Sequence, residues 1–328
     1  MRTRSPLALL ALLAALALIA IPAMVAPVGA AGPSMSRHDR IVSFWTPARL
    51  RSAIPRDFVR SNGALVPKKK PGGGGGGGVV GASWTKGGAI LKGSGKVYFV
   101  MGSSAYVCSG SVATDSRSGK SLVLTAGHCA YDEAARAFAT NWLFIPEFDS
   151  APTFTCANTR YGCWTADALV VHNGFASAGS FNTQATVHDF AFAVVGAGGK
   201  SGSAQLDATV GSFGISYSGT RAGDKLYAFG YPAAGKYHGN DLTYCAGNIF
   251  TDSFNSNLTW GMSCDMTGGS SGGPWLKSFN ETTGSGTLNS LNSYGYSGLR
   301  NMYGPMFNSN TQAVYSAANA ATANTIVH

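Results

Sequence analysis

The stretch DMTGGSSGGPW, residues 265 to 275, sets two adjacent serines, Ser270 and Ser271, between pairs of glycines. Glycine adopts backbone angles that other residues resist and lets another molecule approach the main chain closely. That suits a nucleophile held on a tight turn. It equally suits an ordinary surface loop, because glycine and serine are turn residues for purely structural reasons. Read alone, the stretch is ambiguous, and the rest of the chain has to decide it.

The 328 residues, 45% hydrophobic, suffice for one large domain or two smaller ones with a sizeable core. The formal charge of +9 raises nucleic-acid binding, so its location matters. Residues 1–78 hold eleven Lys or Arg against two Asp, whereas residues 79–328 hold thirteen basic and thirteen acidic side chains. A nucleic-acid-binding domain needs its own basic patch, and the neutral body excludes that class. The chain opens with Arg2 and Arg4, continues through the apolar run from Leu7 to Ile21, and reaches the small residues Gly29, Ala30 and Ala31. This is the pattern of a secretory signal peptide over residues 1–30, and a secreted, extracellular product is expected. An uncleaved membrane anchor is the alternative, but the run is short, contains Pro22 and ends at a peptidase-type site, so no membrane association is expected after cleavage. Six cysteines, at 108, 129, 156, 163, 245 and 264, are an even count that implies disulfides in an exported chain. No Cys-x-x-Cys or clustered His suggests a metal, and no cofactor is expected.

Residues 31–78 read as a propeptide. Their first part, IVSFWTPARLRSAIPRDF, is mildly amphipathic, and their end is Lys68 to Lys70, Pro71 and seven glycines, an accessible linker. A disordered arm of the mature protein is the alternative. From residue 79 onward, short runs rich in β-branched and aromatic residues alternate with Gly, Ser, Asn and Asp turns. VYFVM (97–101), SLVLT (121–125), DALVVH (167–172), FAFAVV (190–195) and KLYAFGY (225–231) are predicted strands. Helical periodicity occurs briefly in AYDEAARAF after Cys129 and in TQAVYSAANAATA near the C terminus. The class is all-β, with barrels or sandwiches and a short C-terminal helix.

Three patterns have to be read together: LTAGHCA around His128, VHDFAFAVV around Asp189, and the opening stretch. Each has a bland reading as structural residue or turn, but their joint occurrence in an exported β protein does not. Gly269 to Gly273 also fits G-x-S-x-G, the nucleophile elbow of α/β-hydrolases. That fold requires a histidine well after the serine and alternating strands and helices. Here the single histidine after Ser271 is His328, the last residue, so the elbow fails.

The order His128, Asp189, Ser271 is that of chymotrypsin-type serine proteases, and the sequence resembles that family. TAGHC (125–129) matches its histidine motif, HDFAF (188–192) its aspartate strand in looser form, and GSSGGP (269–274) its GDSGGP with Ser270 in place of Asp. The resemblance runs from about residue 82 to 310. TGGSSGGPW and the WTPARL-type prosegment are most similar to secreted bacterial enzymes related to glutamyl endopeptidases. The resemblance implies two six-stranded antiparallel β-barrels, at about 82–198 and 199–328 of a protease domain spanning 79–328, with the active site in the cleft between them.

Physical chemistry assigns the roles. A serine hydroxyl attacks only when a base takes its proton; a neutral imidazole can do so, and a buried carboxylate fixes the imidazole tautomer and stabilises its cation. Ser271 is therefore the nucleophile, His128 the general base and Asp189 the orienting anion. Ser271 is preferred over Ser270 because Gly-Gly-Pro follows it directly, as in the family. The main-chain N–H groups of Gly269 and Ser271 are the expected oxyanion hole. The resemblance further implies a Cys108–Cys129 disulfide, and locality adds Cys156–Cys163 and Cys245–Cys264. Six residues before the nucleophile, Asp265 takes the family position at the base of the specificity pocket, which implies Arg or Lys before the cut bond. Ser293, Tyr294 and Gly295 stand where the family often has the Ser-Trp-Gly pocket wall. The wall histidine of glutamyl endopeptidases has no counterpart between 272 and 327. Ser270 also removes the carboxylate that pairs with a new N terminus in trypsin-like zymogens, so Val79-Val80-Gly81 is not expected to act as an insertion switch. The expected activity is endopeptidase action, through an acyl-enzyme, on protein or peptide substrates by a monomer whose other partner is its own propeptide. The rival is a silent relative that binds through its old cleft, but such relatives lose a triad residue, and all three are present.

Overall fold

β-Branched and aromatic side chains fit a pleated surface buried on one or both faces, which turns the alternating apolar runs into strands. The computed structural model describes residues 35–61, 64–67, 80–148 and 155–328, with the main chain alone for 59–61 and 64–67. The signal peptide expected over 1–30 and the glycine linker from Lys68 to Gly78 lie outside the described residues.

Two short helices come first, α1 (Arg37–Phe44) and α2 (Pro47–Ser52), capped by the side chains of Ser36 and Thr46. Strands β1 (Ile54–Pro55), β2 (Phe58–Ser61), β3 (Ala64–Pro67) and β4 (Ala82–Ser83) follow, then helix α3 (Gly88–Gly93). The next strands are β5 (Ser94–Met101), β6 (Ser104–Ala113), β7 (Ser121–Thr125), β8 (Tyr131–Asp132), β9 (Ala137–Phe138), β10 (Thr140–Pro146) and β11 (Trp164–His172). Helices α4 (Asn173–Ala176) and α5 (Thr183–Val187) precede β12 (Ala191–Val195). Strands β6, β5, β10, β11, β12 and β7 pair antiparallel in that order, and β7 returns to β6, closing a six-stranded barrel. Closure removes the open edges that a flat sheet would present. Val97, Phe99, Leu122, Leu124, Phe192 and Val194 fill its core with no exposed surface.

The second half holds α6 (Leu206–Val210), β13 (Lys225–Gly230), β14 (Thr243–Asn248), β15 (Phe250–Thr251), β16 (Thr259–Ser263), β17 (Pro274–Asn280), β18 (Ser285–Leu291), β19 (Tyr294–Tyr296) and β20 (Asn301–Pro305). Helix α7 (Ser309–Ala320) and β21 (Thr325–Val327) complete the chain. These strands form two sheets, β18-β17-β13-β14-β4 and β15-β16-β20-β19-β2-β3. They meet by packing around Leu226, Met262 and Trp275, not through a closed ladder. Between β18 and β20 the Ser290 hydroxyl donates to the Pro305 carbonyl, a side-chain link across two strands that no ladder joins. The three disulfides are Cys108–Cys129, Cys156–Cys163 and Cys245–Cys264, the last tying β14 to the residue after β16.

AYDEAARAF, read as helical, is instead the β8–β9 hairpin. The Asp132 carboxylate accepts from the amides of Ala134 and Ala135, and Arg136 takes a left-handed φ of 53°. This local side-chain turn outcompetes the weak helical period. The leading segment is docked on the barrel: Ile41, Trp45 and Leu50 are buried against Tyr98, Leu143 and Ile145, whose neighbours along the strands point into the barrel core. Burying each such side chain stabilises the contact by roughly 1.5–3 kcal/mol.

Candidate active site

The register of the first barrel brings two motifs side by side. Strand β7 ends at Thr125 opposite Ala191, the first residue of β12, so the turn after one strand adjoins the turn before the other. His128 lies on the 3-10 turn Gly127–Cys129, anchored by the Cys108–Cys129 disulfide. The Asp189 carboxylate accepts from the His128 amide at 2.8 Å through one oxygen and pairs with His128 Nδ1 at 2.8 Å through the other. The Ser293 hydroxyl donates to that second oxygen. Both His128 and Asp189 are fully buried. A Cβ on Gly127 would sit 3.1 Å from Asp189 Oδ1 and from the Phe175 ring, which is why glycine precedes this histidine. The other ring nitrogen, Nε2, has no hydrogen-bond partner among the described residues.

The glycines around Ser271 answer to close packing. Gly269 has φ +95°, and Gly272 has φ +81° with its ideal Cβ direction blocked by Thr125 Oγ1 at 2.3 Å and the Ser109 carbonyl at 2.4 Å. This turn is pressed against the end of β7, next to the histidine. Neutral hydrogen bonds hold it: Ser270 Oγ donates to the Thr267 carbonyl, Ser109 Oγ to the Gly269 carbonyl, and Asn292 Nδ2 to the Ser270 carbonyl. Asn292 is itself fixed by the Trp275 indole N–H.

The leading segment enters this site. Strand β1 pairs in parallel with β6 through Ile54–Tyr106 and Pro55–Val107, and β2 pairs in parallel with β19 through Phe58–Tyr294, so residues 56 and 57 cross from one half to the other. Ser271 Oγ donates to Asp57 Oδ1 at 2.6 Å, and the Gly269 amide donates to the same oxygen at 3.4 Å. Phe58 stacks on Phe181 at 4.0 Å and meets the His128 ring edge-on at 5.4 Å. Ser271 is consequently 3% exposed. Arg56 donates to the His128 carbonyl at 2.5 Å and faces Asp132 and Glu133.

Met266, Thr267, Gly268, Asn301 and Met302, together with Ser293, Tyr294 and Gly295, line a cavity beside Ser271. Asp57 and Phe58 also line it, and its volume is about 20 Å³, room for a water. Asp265, expected at its base, does not line it. The Asp265 carboxylate accepts from the Gly81 amide at 2.8 Å, from the Tyr237 hydroxyl at 2.6 Å and from Lys236 at 2.8 Å. Burial pushes its carboxyl up, but these hydrogen bonds and the Lys236 charge outweigh burial and hold it below the usual carboxylate range. Tyr294 and Tyr296 each donate a hydroxyl to Asp252, a buried carboxylate that braces the cavity wall. Sequence reasoning missed Asp57, Asp252, Phe181 and Asn292; the one available signal for the first was an isolated aspartate among the arginines of the leading segment. His128 lies within 4.8 Å of the sulfurs of Cys108 and Cys129, but both sulfurs are spent in the disulfide and offer no thiolate to a metal.

No protein-family model matches the chain, and no curated protein matches it. Solved structures do. The protease Anisep from Arthrobacter nicotinovorans is 37% identical over 71% of this chain and 98% of its own, with a TM-score of 0.61. The thermostable serine protease AL20 from an extremophilic microorganism is 35% identical over 71% and 99%, with a TM-score of 0.61. A Glu endopeptidase, 19% identical over 75% and 99% with a TM-score of 0.54, shares the fold. With serine proteases of that fold more than a third identical and spanned nearly end to end, the chain belongs to the chymotrypsin-type serine proteases.

Proposed function

We propose that the protein is a secreted serine endopeptidase made as an inactive precursor, with Ser271 as nucleophile, His128 as general base and then acid, and Asp189 as orienting anion. The carrying observation is the fully buried His128–Asp189 pair, with an unpartnered Nε2, beside a serine whose hydroxyl is held by a carboxylate. Once Asp57 leaves, His128 Nε2 takes the Ser271 proton as Oγ attacks a peptide carbonyl, and returns it to the departing amine, leaving an acyl-enzyme. Water, deprotonated by the same imidazole, then releases the acid. The N–H groups of Gly269 and Ser271 serve the oxyanion; one such donor contributes about 3–4 kcal/mol to the transition state. The Asp57 oxygen that accepts from Gly269 holds the oxyanion's place in the precursor.

Residues 1–30 are assigned as signal peptide, 31–78 as propeptide cut in the Lys68 to Gly78 linker, and 79–328 as the protease, its halves at about 82–198 and 199–328. Three disulfides support an oxidising, extracellular location, and among the described residues no helix is long and apolar enough to cross a membrane. The cavity walled by Met266, Thr267 and Met302 is assigned to the residue before the cut. Apart from Asp57 of the propeptide it has no charged lining, so the preference for Arg or Lys raised through Asp265 gives way to an uncharged side chain there. A fluorophosphonate tests the reading. The matured wild type and Ser270→Ala should label and cleave peptides, Ser271→Ala should do neither, and the uncut chain should label slowly. Labelling that survives Ser271→Ala, or a fully active precursor, would count against it.

A further inference from the structure

Arg56 occupies a recess that belongs to the body of the enzyme. Its guanidinium donates to the His128 carbonyl and lies 3.6 Å from Asp132 and 3.5 Å from Glu133, with the Tyr106 ring centroid 6.0 Å away. The side chain of Glu133 is 4% exposed, and its Oε2, the oxygen facing Arg56, has no hydrogen-bond partner among the described residues. A buried carboxylate so placed is costly unless a cation stands against it. The recess does not depend on Arg56 for its shape. The Asp132 side chain shapes the β8–β9 turn by accepting from Ala134 and Ala135, and the His128 carbonyl sits on a turn anchored by Cys108–Cys129. Two carboxylates, a carbonyl and an aromatic face suit a planar guanidinium better than any neutral group.

We propose that this recess becomes, once the propeptide departs, a substrate subsite for an arginine or lysine side chain on the leaving side of the scissile bond. The inference rests on the protease reading above. Its side of the cut follows from position. The Met266–Met302 cavity lies in the second half of the molecule and takes the residue before the cut. The recess lies across Ser271 on the first barrel, where β1 pairs with Tyr106 and Val107 of β6, and takes a residue within two positions after it. Arg56 is the precursor's stand-in for that substrate cation.

The test uses internally quenched peptides that differ only in Arg, Lys or citrulline at the first or second position after the cut. Enzyme matured from the full-length chain should cleave the Arg peptide with kcat/KM about tenfold or more above the citrulline peptide at one of these positions, as a charge-assisted contact implies. Glu133→Gln should lower that ratio several-fold, the Asp132 carboxylate and the His128 carbonyl accounting for what is left. Uncut chains supply a second measurement that needs no substrate: Arg56→Gln and Glu133→Gln should each speed fluorophosphonate labelling, and the double variant should label no faster than the faster single. Equal cleavage of Arg and citrulline peptides by an active wild type overturns the subsite, and so does an Arg preference that Glu133→Gln leaves undiminished. Failure of every peptide to be cleaved, with no labelling, instead sinks the protease reading beneath it.

Discussion

Two glycines with similar backbone angles stand in opposite surroundings. Gly272, φ +81°, has Thr125 and the Ser109 carbonyl within 2.4 Å of where a Cβ would point, whereas Gly102, φ +56°, has nothing within 4 Å. Gly102→Ala should cost about 1–2 kcal/mol, the strain of a left-handed residue alone. Gly272→Ala adds a clash with rigid main chain and should cost about 3 kcal/mol or more and displace Ser271 from His128. Urea denaturation of the pair, alongside peptide turnover, checks both; equal midpoints would show that the turn yields where packing says it cannot. The same density explains Ser270. Its hydroxyl reaches the Thr267 carbonyl, so the turn is ordered without the charged pair that the family's aspartate makes.

Strand β5 carries an ionisable group where its neighbours are apolar. Lys96 is 6% exposed, donates to the Gly239 carbonyl at 3.1 Å and lies 4.2 Å from the centre of the Phe148 ring. Burial lowers its pKa to about 7 from an ordinary value of 10.5. Below pH 7 both folded and unfolded chains hold the proton, and the folded state bears the full cost of a buried cation. Between pH 7 and 10.5 the unfolded chain binds more protons, so this cost is relieved as pH rises. Lys96→Met should therefore raise Tm more at pH 6 than at pH 10. Thermal melts at the two values check it, and an identical gain at both would mean that Lys96 is ionised alike in the two states. In the β8–β9 hairpin, where a helix was expected over AYDEAARAF, one aspartate side chain bonded to two amides decided the outcome.

For the whole molecule, the leading segment spans both halves. Trp45 and Leu50 anchor it on the barrel, Arg56 and Asp57 cross the cleft, and β2 extends the sheet of β19. At Ser271 it presents a side-chain carboxylate in place of a peptide carbonyl, so the proposed nucleophile has no bond to cut there. A synthetic peptide of residues 36–61 added to the matured enzyme should inhibit it reversibly. Asp57→Ala in that peptide should weaken inhibition about tenfold or more, through loss of charge-assisted hydrogen bonds. Trp45→Ala should weaken it as well, by removing buried aromatic surface far from the cleft. Inhibition constants measured for the three peptides decide this, and equal potency of the Asp57→Ala form would remove the carboxylate from the mechanism.

The sequence by itself determined the strand-rich class, the order His128, Asp189, Ser271 and the division between a basic leader and a neutral body. Those are carried by local motif, two-residue period and composition, which need no knowledge of neighbours. Tertiary structure alone decided where the charged side chains went. Asp265 turned away from the pocket to Gly81, Tyr237 and Lys236, and Asp57 reached a serine more than two hundred residues later. It also decided that one barrel closes by hydrogen bonds while the second set of strands divides into two packed sheets. A carboxylate's partner is chosen by which groups burial brings within a few ångströms, and spacing along the chain does not encode that distance.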